Sequence, residues 1–281
     1  MCYTGDYTEP EYQYTGCLDS KIDVRDYKLK SASVKQQYSY PDKAFFLRTM
    51  PKVKNQGSVG SCVAHAMSTI LEYHDLNENK NTLSTNFIYG LQRKLFNDTT
   101  PGMKLTDACK IALDYGDMLE ADCSGNNEVP HCYDIAEESL NDTNKVTIAK
   151  HYSISSYFKC NSPEEIKYAI YNYGPVLASI KWYKNYKIDS DGVLYGEENG
   201  DYGGHAIVVY GYNETGFLCQ NSWGKNWAED GRFIFPYTKS FKDARGIVDY
   251  TPSDDIKIPT RNKLFDVFYK IINYFLNLFK K

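Results

Sequence analysis

The sequence has no basic, apolar leader, no CxxC pair and no excess of positive charge. Its first ten residues are polar and carry Asp6 and Glu9, unlike a secretory signal. The expectation is a chain that is not conventionally exported and that works inside a cell or particle. The eight cysteines, at 2, 17, 62, 109, 123, 132, 160 and 219, are sparse and irregularly spaced, which argues against a disulfide framework and for reduced thiols. Cys123 and Cys132 lie close to His131 in sequence, but nothing supplies a second pair of ligands, so no metal site is expected. A net charge of -4 gives no global basic field and sets nucleic-acid binding aside.

What is present is ordinary globular material with an aromatic bias. In 281 residues, 42% are hydrophobic and 24% charged, and the 26 tyrosines add apolar bulk with polar tips. Residues 1–40 show neither helical period nor strand alternation and read as a solvent-exposed arm or short pro-segment. After a glycine-containing loop over 53–60, Ala64, Met67, Ile70 and Leu71 fall at helical spacing and predict a helix over 61–75. Cys62 then sits at a helix N-terminus. Further helices are predicted over 84–96, 105–114 and 163–173, and strands over 176–180, 205–212, 217–221 and 232–236. The composition shifts near residue 155. The expected organisation is an arm over 1–40 and a main domain over 41–252, helical to about 155 and β-rich beyond, followed by a linker and helix over 253–281.

A thiol is a weak nucleophile until ionised, and a helix N-terminus with a nearby imidazole is the physical means of ionising it. Cys62 has the first. Gln56 lies six residues earlier in a loop with two glycines, so its side-chain amide and the Cys62 backbone N–H can converge on a developing oxyanion. His205 opens an apolar run after Gly203 and Gly204, a poor place for a filler histidine. Asn221 ends the next run, where its amide can hold the imidazole, and Trp223 and Trp227 follow to keep water off it. His65, one helical turn after Cys62, emerges along the same face with poor geometry for a base. His74, His131 and His151 have no partner pattern.

QGSVGSC at 56–62, GGHAIVVYGY at 203–212 and NSWGKNW at 221–227 resemble, in this order, the three signatures of the papain-like cysteine peptidases. The linking segments LSTNFIYG, LTDACKIALDYG, SPEEIKYAIYNYGPVLASI and DGVLYG are similar as well. The resemblance implies an α+β fold of two lobes, one helical and one an antiparallel β-barrel, with the site between them. It implies a Cys62–His205–Asn221 triad with Gln56 as oxyanion donor and Trp223 in support, no cofactor, and a polypeptide substrate cut through an acyl-enzyme. By the same resemblance, substrate would lie along Gly102, Leu105, Val176, Ala206 and Tyr250, with an apolar or aromatic side chain two residues before the cut. Val59 and Arg245 stand where the family commonly has bridging cysteines, and Met103 where many members have a second glycine. Two other readings share these residues: a catalytically idle scaffold, or an isopeptidase or transpeptidase.

The arm is shorter than the long inhibitory propeptides of this family. It can still cover the cleft, with Cys2 or Cys17 forming a reversible disulfide to Cys62. At the other end, polar residues at 263, 266, 270, 273, 277 and 280 make one narrow stripe on a helix over 262–281. Its apolar stretch spans about 24 Å, short of a bilayer core of about 30 Å. The expectation is packing on the catalytic domain, a peripheral membrane contact or a protein contact. Oligomeric state is not legible.

Overall fold

The computed structural model of the protein describes residues 15–20, 27–28, 40–75, 81–96, 101–124 and 141–249. The expectations for Cys2, Tyr250 and the helix over 262–281 lie outside the described residues. Among the described residues, no helix is long and apolar enough to cross a membrane.

Helix α1 (Cys62–Asp75) is buried on nearly every face, with Val63, Ala64, Met67 and Ile70 fully enclosed. A helix apolar on most sides belongs inside. It packs against α2 (Thr85–Phe96) and α3 (Leu105–Asp114) on one side and a sheet on the other. Lys54 ties the preceding loop to this group, its Nζ reaching Glu72 at 2.7 Å and the Leu83 carbonyl at 2.7 Å. The predicted helix over 163–173 is observed as Pro163–Tyr173. Its ends carry clear signals: Ser162 accepts from the Glu165 N–H, Pro163 opens the first turn, and Gly174 leaves it at φ 108°. A further helix, Thr143–His151, has no counterpart among the sequence expectations. Its only apolar residues are Val146, Ile148 and Ala149, too few for a visible stripe, and Asp142 capping two N–H groups is its one signature.

Strands β1 (Cys17–Leu18), β2 (Tyr27–Lys28), β3 (Phe45–Phe46) and β4 (Met103–Lys104) are two residues each. The main sheet runs β11 (Arg232–Pro236), β10 (Gly216–Gln220), β9 (Tyr202–Tyr212), β6 (Val176–Tyr183), β12 (Asp243–Val248), β5 (Ser156–Lys159), β2, with β3 paired to β9. Strands β7 (Lys187–Ile188) and β8 (Leu194–Tyr195) form a separate ribbon. The α+β class is as expected, but the expected barrel is an open sheet among the described residues, with β11 and β2 at its edges.

Strand period separates the two faces of β6 and β9. Leu177, Ala206 and Val208 join the core beneath α1, whereas Val176, Ala178, Ile180, Ile207 and Val209 join a second core on the opposite face. In register, His205 lies opposite Ile180 and Ala206 opposite Ser179. This places the start of β9 against the N-terminus of α1.

Candidate active site

Cys62 is the first residue of α1 and is wholly buried. The Ala206 N–H donates to its Sγ at 3.4 Å, which sets the residue after His205 directly against the thiol. Burial pushes the Cys62 pKa up to about 11, and main-chain hydrogen bonds from Ala206, Val63, Gly16 and Cys62 itself oppose it.

His205 is also wholly buried, and its Nε2 lies 2.7 Å from Asn221 Oδ1. The same oxygen accepts the Ser222 N–H at 2.8 Å, which fixes it as an acceptor and so makes Nε2 the protonated nitrogen. Nδ1 has no hydrogen-bond partner among the described residues. Burial pushes the His205 pKa down to about 4, against the Asn221 contact. With both groups buried, these shifts leave the thiol and the imidazole neutral at pH 7.

Trp223 stacks on His205 with centroids 4.4 Å apart. Trp182, which sequence reasoning missed, meets the same ring edge-on at 5.6 Å. Trp227 touches Trp182 and Trp223, one layer further out. All three tryptophans of the chain therefore build one wall around the imidazole.

Gln56 is buried in the loop before α1. Its N–H donates to the Ser222 carbonyl at 2.8 Å, its Oε1 accepts from Ser222 Oγ at 2.6 Å, and its Nε2 donates to the Val59 carbonyl at 2.8 Å. Ser222, the neighbour of Asn221, thus orients the glutamine while Asn221 orients the histidine.

A stretch of the N-terminal arm crosses this site. Gly16 donates to the Gly204 carbonyl at 2.9 Å and accepts from the Met103 N–H at 2.8 Å, and β1 pairs with β4 in parallel. Cys17 is buried, its thiol hydrogen-bonded to Ser179 and close to Cys62; burial first, then Cys62, raises its pKa. Asp19 pairs with Lys242, and Ser20 Oγ accepts from the Thr106 N–H at 3.4 Å. The arm expected to be exposed is thus buried at Cys17 and half-buried at Gly16 and Leu18. Gly203 and Gly204 are glycines for a visible reason: a Cβ on either would overlap Thr15 or Cys17.

Of the other proposed substrate contacts, Gly102 (φ 113°) lies against the Gly16 carbonyl, and Ala206 touches the thiol. Leu105 is buried in the core shared with Cys17 and Cys62. Val176 is not brought to the site: it pairs with Val209 and points into the second core. Ser179, on the other face of the strand, lies opposite Ala206 and hydrogen-bonds the Cys17 thiol. The available signal was parity along the strand, since Ser179 and Leu177 share a face that Val176 does not.

A match to the family described as papain family cysteine protease spans residues 43–244. A cathepsin B-like cysteine proteinase of Caenorhabditis elegans is 34% identical over 40% of the chain and 33% of its own length, so the chain spans about a third of that relative. A peptidase C1-like protein of Acanthamoeba polyphaga mimivirus is 27% identical over 77% of the chain and 75% of its own length. Among solved structures, xylellain, a cysteine protease from Xylella fastidiosa, superposes with a TM-score of 0.70 at 21% identity, covering 84% of this chain and 96% of its own. The family match alone covers more than two thirds of the sequence, and the chain belongs to the papain family of cysteine proteases.

Proposed function

We propose that the chain hydrolyses peptide bonds with Cys62 as nucleophile, His205 as base and then acid, and Asn221 holding the imidazole. The observation that carries this reading is the His205 Nε2–Asn221 Oδ1 contact at 2.7 Å, which leaves Nδ1 for the thiol proton while the next N–H, that of Ala206, lies on Sγ. His205 Nδ1 takes the Cys62 proton, and the thiolate adds to the substrate carbonyl. The oxyanion would receive the Cys62 N–H at the helix start and the Gln56 side-chain amide. His205 then gives its proton to the leaving amine, the C–N bond breaks, and a thioester remains. Water, losing a proton to His205, cleaves the thioester and restores the thiol.

Residues 15–20 act as a short pro-segment in this reading. They hold the cleft closed at rest and keep both reacting groups neutral, so substrate and inhibitor enter through the minor population in which they are displaced. The side chain of Cys17 against Ser179 supports a small substrate side chain in that pocket rather than the apolar or aromatic one expected from resemblance.

The test is mass spectrometry after incubation with an epoxysuccinyl thiol-protease inhibitor, alongside Cys62→Ala. One adduct on Cys62, absent from the variant, together with Cys62-dependent peptide turnover is the expected result. Turnover that survives Cys62→Ala sinks the reading.

A further inference from the structure

His65, poorly placed to act as a base, is a buried polar residue in the helix that begins at Cys62, 3% exposed. Its Nδ1 lies 3.0 Å from the Ser61 carbonyl and 3.3 Å from Ser61 Oγ, and the ring also hydrogen-bonds the Asn55 carbonyl. Asn55 and Ser61 are the two ends of the loop that bears Gln56. Both ends therefore converge on one imidazole.

Within that loop, Val59 donates to the Gln56 carbonyl at 3.3 Å, Ser61 donates to the Val59 carbonyl at 2.8 Å, and Gly57 turns with φ 56° and donates to Asn55 Oδ1 at 3.0 Å. Asn55 bridges to Trp223, and Gly224 donates to the Lys54 carbonyl at 2.9 Å. The loop is thus fastened to the strand end at 221–224 on one side. On the side of α1, His65 joins its ends.

We infer that His65 is a positioning residue for oxyanion binding: it clamps Asn55 to Ser61 so that the Gln56 carboxamide and the Cys62 N–H keep a common orientation. The inference rests on the reading of Gln56 as oxyanion donor. A neutral imidazole suits the task, because it can donate one N–H to a main-chain carbonyl and accept from the Ser61 hydroxyl with the other nitrogen. Burial, with Lys54 nearby, pushes the His65 pKa down to about 4, so the ring keeps this form at neutral pH. A phenyl ring of similar size would fill the space and release both ends of the loop. A glutamine retains a donor and an acceptor.

The experiment is a double-mutant cycle in the full chain, under the condition that gives wild-type peptide turnover, with His65→Phe, His65→Gln, Gln56→Ala and His65→Phe/Gln56→Ala. Two readouts are taken: kcat and KM for a peptide, and the rate at which iodoacetamide alkylates Cys62, a step that needs the thiolate but no oxyanion donor. Gln56→Ala is expected to lower kcat by about 100-fold. His65→Phe is expected to lower kcat by about tenfold, with KM and alkylation unchanged, and His65→Gln to recover most of that loss. Added to Gln56→Ala, His65→Phe should cost less than about twofold more, since it acts through a group already removed. Effects that multiply in the double variant, or an alkylation rate that falls along with kcat, overturn the inference while leaving the reading of Gln56 in place. An unchanged kcat in Gln56→Ala overturns that reading and the inference with it. Should His65→Phe fail to fold, His65→Asn, whose shorter amide cannot span the Asn55 carbonyl and the Ser61 hydroxyl, takes its place in the cycle and is held to the same outcomes.

Discussion

Gly16 donates its N–H to the carbonyl of Gly204, the residue immediately before His205, at 2.9 Å. This single bond joins the N-terminal arm to the strand that carries His205, directly over Cys62. A Cβ on Gly16 would overlap the Gly60 carbonyl, which is backbone and cannot step aside. Gly16→Val should therefore expel the segment. Overpacking of this kind costs about 1–3 kcal/mol, which enlarges the open population about 5- to 150-fold. The iodoacetamide alkylation rate of Cys62 at pH 7 is expected to rise within that range, read by mass spectrometry. An unchanged rate would mean that the segment does not limit access.

The same displacement has a consequence for pH. With the cleft covered, the thiol lies at about 11 chiefly through burial, so at pH 7 it is almost wholly protonated. Its alkylation should climb about tenfold per pH unit through pH 9 without levelling. In Gly16→Val, water reaches the thiol and the imidazole, and the burial that raises one pKa and lowers the other is relieved together. The thiolate then shares the site with an imidazolium at a helix N-terminus, both of which favour it. The midpoint of the alkylation profile should fall below about 8.5, the ordinary value for a cysteine. A profile that keeps rising to pH 10 in both proteins contradicts this account of the cover.

The parts of the site that sequence made legible are those where a residue type has few other uses. A cysteine at a helix start, a histidine after two glycines and an asparagine before a tryptophan each point to chemistry, and the structure sets Ala206 on the Cys62 thiol and Asn221 on His205. Parts set by strand register were not legible. Val176 and Ser179 differ in parity, and parity is fixed by which neighbour on β9 each residue faces. Residues 15–20 were legible only as part of an arm able to cover the cleft, and their course was not, because a segment that adds itself to a cleft by main-chain bonds needs no periodic side chains of its own. Trp182, on the strand beside His205, could be placed against the ring only once the β6–β9 pairing was known.

Ser179 should govern which side chain the cleft accepts. Cys17 reaches the serine hydroxyl with a side chain of two heavy atoms, so a ligand whose main chain follows the same course has little depth before it meets that floor. In Ser179→Gly the floor recedes. The ratio of kcat/KM for peptides with phenylalanine against alanine in this pocket should move about tenfold toward phenylalanine, the scale at which a small change in pocket volume discriminates. A ratio unchanged by the substitution would place the selecting contact elsewhere.

Asn221 and Trp223 hold His205 in different ways, and their removal should separate them. Asn221→Ala deletes the acceptor of Nε2–H inside a buried site, leaving that donor without its partner at 2.7 Å. The ring is then free to carry its proton on Nδ1, where it can no longer accept from the thiol. A fall in kcat of about 10- to 100-fold is expected, with KM little changed, since general-base help contributes about 10²- to 10⁴-fold and only part of it depends on the tautomer. Trp223→Ala leaves the hydrogen bond and removes the stacked face at 4.4 Å. Water then competes for Nε2–H, and kcat should fall less, by about threefold to tenfold, because the acceptor is still present. Adding Trp223→Ala to Asn221→Ala should cost little more, for there is then no shielded bond to expose. Steady-state kinetics of the three variants decide the point, and losses that multiply would show that Trp223 serves the site by a route other than protecting the His205–Asn221 pair.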